Sequence, residues 1–380
     1  MNFDYTEEQR ALQDSLQRFI EKEYSFEKRR ALIRSGDSFN REVWAHFAEL
    51  GLLALTVPED CGGIGGTAVD TMLVMECLGK GLVLEPYLAC VVLANTLVST
   101  AGTPQQKQSL LPLAAEGRLL LAAALCEPEA RYALDRITTT AEATADGWRI
   151  SGKKALVLGG PSADKFIVSA RTGGETNAAE GISLLLVENG TPGLDVRAYR
   201  THDGTHAADI TLRSVEVGHA ALLGTVGKAL PCIELAVGQA LAALCAEAVG
   251  IMTALNNATL DYMKTRKQFG QPIGRFQALQ HRMVDMVVAT EQARSMTILA
   301  TVKAGASDPT ERLKYMSGAK TYVGMAARTV GQTAVQLHGG MGVVDELIVS
   351  HYFKRLTMIM ATLGDTDFHL DRFSKALLAA

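Results

Sequence analysis

The sequence has little of what several function classes need. Its lysines and arginines are scattered, and 37 of them stand against 41 acidic residues. That balance gives no basic patch with which to hold a nucleic-acid backbone, so no nucleic-acid partner is expected. None of the six cysteines forms a C-x-x-C pair. Neither a zinc ribbon nor a disulfide framework is encoded. The opening text "MNFDYTEEQR" is acidic and polar where a secretory leader needs a basic and then an apolar run. Together these features predict a reducing, cytoplasmic compartment. No G-x-G-x-x-G follows a strand pattern and no Gly-Lys-Ser/Thr loop occurs, so the usual dinucleotide and phosphate loops are missing. Internal repeats and low-complexity tails are also lacking.

Apolar residues make up 48% of the 380 residues, enough for two or three domains with sizeable cores. The longest apolar text, "ALPCIELAVGQALAALCAEAVG", carries Glu234, Gln239 and Glu247. It predicts a buried helix rather than a membrane span.

Three segments follow from the periodicity. Residues 1–118 read as helical: Thr6 stands as an N-cap before "EEQRALQDSLQRFI", with Leu12, Leu16, Phe19 and Ile20 on one face. Residues 119–226 carry short aliphatic or β-branched runs between turn residues, including a hairpin at Asp146-Gly147. From 227 to 380 the helical period returns. The order of helices, strands and helices gives an α+β fold rather than an alternating α/β sheet. His202 and His206 have ligand-like spacing, but no cysteine or second pair lies nearby and the text reads as a solvated loop.

One stretch breaks the last helical segment. "TRKQFGQPIGRFQALQHRMVDM" (Thr265 to Met286) interrupts helical text with two glycines and a proline, which cost roughly 1 and 3 kcal/mol in a helix interior. A second break falls at "QLHGGMGVVDE". By spacing alone the first is a helix-to-helix turn with Arg266 in solvent.

Taken together, "TEEQ", "ELGLLALTVPEDCGG", "LCEP … GWRISGKKALV", "RKQFGQPIGRFQALQHRMVDM" and "AVQLHGGMGV" resemble the acyl-CoA dehydrogenase family in order and spacing over nearly the whole chain. The resemblance implies an N-terminal helical domain, a middle β-barrel or sandwich domain, a C-terminal four-helix bundle, and FAD held near a subunit boundary. It implies that Arg266 and Gln277 reach the pyrophosphate and adenosine part of an FAD lodged in a neighbouring subunit, with Phe269 packing nearby. Gln336, Leu337, His338, Gly339 and Gly340 would meet the same FAD, and Leu125, Cys126 and Leu158 would lie along its ring. An acyl-CoA substrate, an electron-transfer flavoprotein as acceptor and a tetrameric assembly are implied as well.

Departures accompany the resemblance. The family's usual catalytic glutamate falls at Leu363, which cannot accept a proton. The alternative location on the first bundle helix falls at Ala240, beside Leu241. Asp365 and Glu247 are the two carboxylates placed to substitute, each with a plainer role as a helix cap or a helix-contact ion partner. Hydroxyl-bearing positions facing the flavin ring in many relatives are Cys126 and Leu158 here. In these respects the chain is similar to the small subunits of two-chain enzymes, pimeloyl-CoA dehydrogenase among them, in which the partner chain carries the base. Pimeloyl-CoA or another dicarboxylyl-CoA is then the expected substrate. A self-sufficient homo-oligomer and a non-catalytic structural subunit are the alternatives.

Overall fold

The computed structural model describes residues 5–378. Its packing divides the chain into two units, each assembled from separated segments.

One unit comprises residues 32–67 and 84–240. Its helices are the latter part of α2 (Phe26–Ser35, which starts in the other unit), α3 (Arg41–Glu49), and α5 (Asn95–Ala101) followed by α6 (Pro104–Ala115). A buried π-helical turn over Leu88–Ala94 leads into α5. The strands are β1 (Leu121–Ala124), β2 (Thr140–Ala143), β3 (Gly147–Leu158), β4 (Lys165–Arg171), β5 (Ile182–Glu188), β6 (Leu194–Arg200), β7 (His206–Gly218) and β8 (Leu222–Leu223). They form one sheet in the order β6-β7-β3-β2-β4-β5-β8, with β1 parallel to β4. The predicted turn at Asp146-Gly147 joins β2 to β3 in an antiparallel pair. Trp148, Ile150, Phe166, Val168, Leu185, Val187, Ile210 and Leu212 close the core on one side of the sheet, as alternation requires. The β3–β7 ladder slips twice, between Ile150 and Gly152 and between Lys154 and Val157. Leu156 (φ 52°) and Ser214 (φ 52°) take left-handed conformations at these irregularities. Such bulges re-aim side chains next to sites.

The other unit comprises residues up to 31, 68–83 and 241 onward. It holds α1 (Glu7–Glu23), the start of α2, α4 (Ala68–Lys80), most of α7 (Leu230–Thr265), α8 (Gln277–Lys303), α9 (Pro309–His338), α10 (Ile348–Ala361) and α11 (Thr366–Leu378). Thr6 caps α1 through a reciprocal box with Gln9, and Leu16 and Ile20 are its buried residues. Helix α7 is long and apolar enough to cross a membrane, yet 89% of its most apolar window is buried inside the fold. Glycines let α4 touch α7: a Cβ on Gly79 would stand 2.2 Å from the Glu247 carbonyl oxygen, and one on Gly250 would stand 2.0 Å from the Glu76 carbonyl oxygen. Glu76 then pairs with Arg294 of α8 at 2.8 Å, tying the third helix to this crossing.

Candidate functional site

Helix α7 ends at Thr265, and the Gly/Pro interruption beyond it is a miniature hairpin rather than a plain helix-to-helix turn. Strands β9 (Lys267–Gln268) and β10 (Gln271–Pro272) pair antiparallel, and Ile273 N–H donates to the Arg266 carbonyl at 2.8 Å to close the base. The two turn residues, Phe269 (φ 51°) and Gly270 (φ 79°), are both left-handed. This is the two-residue geometry that the twist of a hairpin selects, and it normally recruits Asn-Gly. Here a phenylalanine occupies the strained place, 91% exposed, with its ring edge-on to that of Phe276 at a 6.0 Å separation. Gly274 is needed for packing, because a Cβ would meet the Met263 carbonyl at 3.0 Å.

Arg266 and Gln277 are exposed, and Arg266 enters no ion pair among the described residues. Gln277 begins the 27-residue helix α8, whose N-terminus has no side-chain cap. Its first backbone N–H groups and positive dipole end are therefore open to an anion.

The end of α9 is drawn to the end of α7 by a stacked pair, Tyr262 on His338, with ring centroids 4.3 Å apart. His338 Nδ1 donates to the Ala334 carbonyl at 2.8 Å, and burial lowers the imidazole pKa. The His338 ring and the Leu337 side chain are thus turned into the bundle. Any contact these two residues make with a cofactor is therefore through their backbone. Gln336 is exposed, and nothing lies within 4 Å of where a Cβ would stand on Gly339 or Gly340. A free guanidinium, two amides, uncapped helix N–H groups and bare glycine backbone form a donor set that suits a diphosphate and its nucleoside, the part of FAD assigned to these residues.

In the sheet unit, Cys126 follows buried Leu125 past the end of β1, and Ala155 N–H donates to the Cys126 carbonyl at 2.9 Å. Cys126 and Leu158 are half-buried. Burial pushes the Cys126 thiol pKa up, leaving a neutral side chain there. Beneath this segment lies an ion pair the sequence did not announce. Lys154 Nζ meets Glu127 Oε1 at 2.8 Å with both side chains buried, and donates to Ser169 Oγ at 2.9 Å. The same carboxylate accepts from Thr138 N–H, Thr138 Oγ and Thr139 N–H. Burial pushes its pKa up, but the Lys154 charge and these bonds prevail and hold it down to about 2.

The candidate bases are both engaged. Glu247 makes a two-point ion pair with Arg355, at 2.5 Å to Nε and 2.8 Å to Nη2. Asp365 Oδ1 accepts from Phe368 N–H at 2.9 Å and caps α11. Ala240 and Leu241 are buried and apolar. Leu363 is half-buried with φ 57°. His202 is exposed, whereas His206 opens β7 half-buried rather than sitting in a solvated loop. No cluster of potential metal ligands occurs among the described residues.

Family models for the N-terminal, middle and C-terminal domains of acyl-CoA dehydrogenase match residues 6–118, 122–215 and 234–378. The probable acyl-CoA dehydrogenase YngJ of Bacillus subtilis is 32% identical over the full length of both chains. Among solved structures, butyryl-CoA dehydrogenase from Megasphaera elsdenii superposes with a TM-score of 0.90 at 26% identity, covering 100% of both chains. A chain of the ChsE4-ChsE5 complex from Mycobacterium tuberculosis does so with a TM-score of 0.89 at 27% identity, also covering 100% of both.

Proposed function

Because the chain belongs to the acyl-CoA dehydrogenase family of FAD-dependent oxidoreductases, we propose that it is the small subunit of a two-chain enzyme that α,β-dehydrogenates a CoA thioester. Pimeloyl-CoA or another dicarboxylyl-CoA is the proposed substrate, and an electron-transfer flavoprotein is the proposed acceptor. The observation that carries this reading is the state of the base. Position 363 is leucine, position 240 is alanine, and the two nearby carboxylates already serve an ion pair and a helix cap. A Cα–H proton needs a carboxylate within hydrogen-bond reach, a contribution of about 10²- to 10⁴-fold. In this reading the partner chain supplies it.

FAD, when bound, would supply the acceptor for the hydride that leaves the thioester Cβ. The chain's own part is to hold that cofactor. Arg266 and Gln277 would neutralise and orient the diphosphate of an FAD carried by the neighbouring protomer, with Phe269 covering the seam. Gln336 and the backbone at Gly339 and Gly340 would offer further amides. Leu125, Cys126 and Leu158 would line the ring of the chain's own site and exclude water from it. Exposed Val284, Val287 and Val288 on one face of α8 support association of protomers through this bundle. Retention of unpaired Arg266 and Gln277 weighs against a structural subunit that has lost its cofactor.

Co-expression with an acyl-CoA dehydrogenase chain that carries the catalytic glutamate should yield a mixed tetramer with bound FAD that oxidises pimeloyl-CoA. This chain alone should retain flavin but turn over at least 100-fold more slowly. Equal rates from the isolated chain would remove the two-chain reading, and a flavin-free mixed assembly would remove the cofactor role of Arg266 and Gln277.

A further inference from the structure

The corner between α10 and α11 is held more firmly than a helix end requires. A helix C-terminus is usually closed by a glycine in the left-handed conformation. Here the left-handed residue is Leu363, at a cost of about 1–3 kcal/mol that the surroundings must offset. Gly364 follows with φ 118°, where a Cβ would stand 2.4 Å from His369 Nε2 and 2.7 Å from the Phe368 ring.

Two buried side chains fasten the corner. Lys320, 1% exposed, donates to the Met360 carbonyl at 3.1 Å and the Gly364 carbonyl at 2.7 Å. His369, 0% exposed, lies 3.0 Å through Nε2 from the Leu363 carbonyl and 3.2 Å through Nδ1 from Ser317 Oγ. A carbonyl only accepts, so Nε2 donates; Nδ1 of the neutral ring then accepts a hydrogen bond from the Ser317 hydroxyl. Burial first, and then the Lys320 charge, hold the imidazole pKa down to about 3, so the neutral tautomer is fixed. Burial likewise lowers Lys320 to about 8. An ammonium and an imidazole are thus desolvated to fix one strained two-residue turn, and the side chain it holds, Leu363, remains half-exposed. Strain stored this way is characteristic of sites.

We propose that Lys320 and His369 are positioning residues that present the side chain at 363 to the acyl thioester, so that Leu363 is a wall of the acyl site and the seat for a base is filled rather than dismantled. This rests on the dehydrogenase reading above. Its chemical consequence is specific. A carboxylate introduced at 363 takes a proton from Cα, the C–H electron pair stays on the thioester as the enolate, and the carboxyl group returns a solvent proton. No oxidant is consumed, so the step is visible as hydrogen exchange without turnover.

The test uses the full chain with bound FAD, in D₂O, with butyryl-CoA and pimeloyl-CoA as probes and mass spectrometry of deuterium at Cα. Leu363→Glu should raise exchange at least 100-fold over the wild type and over Leu363→Gln, with a pH profile that rises through one carboxylate ionisation. Adding Lys320→Met should lower that gain at least 10-fold at saturating thioester, and Lys320→Arg should keep more of it. His369→Leu, which removes the bonds to the Leu363 carbonyl and to Ser317 Oγ but leaves Lys320 in place, carries the same comparison if Lys320→Met does not fold. Exchange in Leu363→Glu no faster than in the wild type, while the thioester still perturbs the flavin absorption band, overturns the proposal and leaves the family function standing. Failure of the wild type to bind either FAD or thioester overturns both.

Discussion

Replacing Lys154 by methionine should destabilise the sheet unit far more than replacing Lys154 and Glu127 together. In the native protein the buried Glu127 carboxylate is met by one buried ammonium and three neutral donors, of which Thr139 N–H is buried and the two from Thr138 lie nearer the surface. Removing the ammonium strands an anion out of water, a loss of about 3–5 kcal/mol when one member of a buried pair is deleted. Because Thr138 and Thr139 still donate, the lower end, about 3 kcal/mol, is expected. The double change Glu127→Gln with Lys154→Met removes both charges and leaves an amide oxygen for the threonines, so it should fall within about 1 kcal/mol of the wild type. Acid should have a parallel effect. The Glu127 pKa is depressed from its ordinary 4.5 to about 2, so its contribution is full above pH 4.5 and is lost as pH falls toward 2. At 1.36 kcal/mol per unit that loss is roughly 3 kcal/mol. Urea denaturation followed by tryptophan fluorescence is the assay, since Trp44 and Trp148, the chain's two tryptophans, both lie in this unit. A single variant within about 1 kcal/mol of the wild type, or a double variant as unstable as the single, would refute the assignment of the pair as a buried, mutually dependent clamp.

Gly79→Ala and Gly250→Ala each drive a methyl group into backbone of the opposing helix, and each should cost at least about 1–3 kcal/mol in thermal or denaturant melts. Both act on one helix separation, so together they should cost less than their sum; additive losses would deny the shared crossing. Phe269→Asn puts the favoured residue at the first left-handed turn position and should stabilise the isolated protomer by about 0.5–1 kcal/mol while lowering FAD retention and assembly, read by calorimetry, flavin absorbance and mass measurement. If assembly and flavin content are unchanged, Phe269 is not kept for contact.

Most regular elements were legible because their signals are local. Thr6 and Gln9 are three residues apart, and the hairpin at Asp146-Gly147 announces itself in two. The helix-strand-helix order gave the fold class, and the Gly/Pro break beyond Arg266 marked where α7 gives way to α8. What stayed hidden depends on distant partners. Glu127 meets Lys154, Glu247 meets Arg355, and Lys320 meets Gly364 across 27, 108 and 44 residues, and no periodicity encodes those meetings. The inward turn of His338 was hidden for the same reason: Tyr262, its stacking partner, lies 76 residues upstream. The π-helical turn at Leu88–Ala94 and the miniature hairpin escaped because apolar runs and Gly/Pro breaks are compatible with several backbone forms.

The scattered origin of the helical unit bears on how the protein is made. Thr71 to Gly79 of α4 are all buried, partly against α7 and α8, whose contact residues Gly250 and Arg294 leave the ribosome about 170 to 220 residues later. At roughly 5–20 residues per second the nascent helix waits about 10 to 40 seconds for that cover. During this interval its apolar face is a binding site for holdase chaperones and a liability for aggregation, so a message truncated before the codon for Gly250 would release a product that cannot bury it.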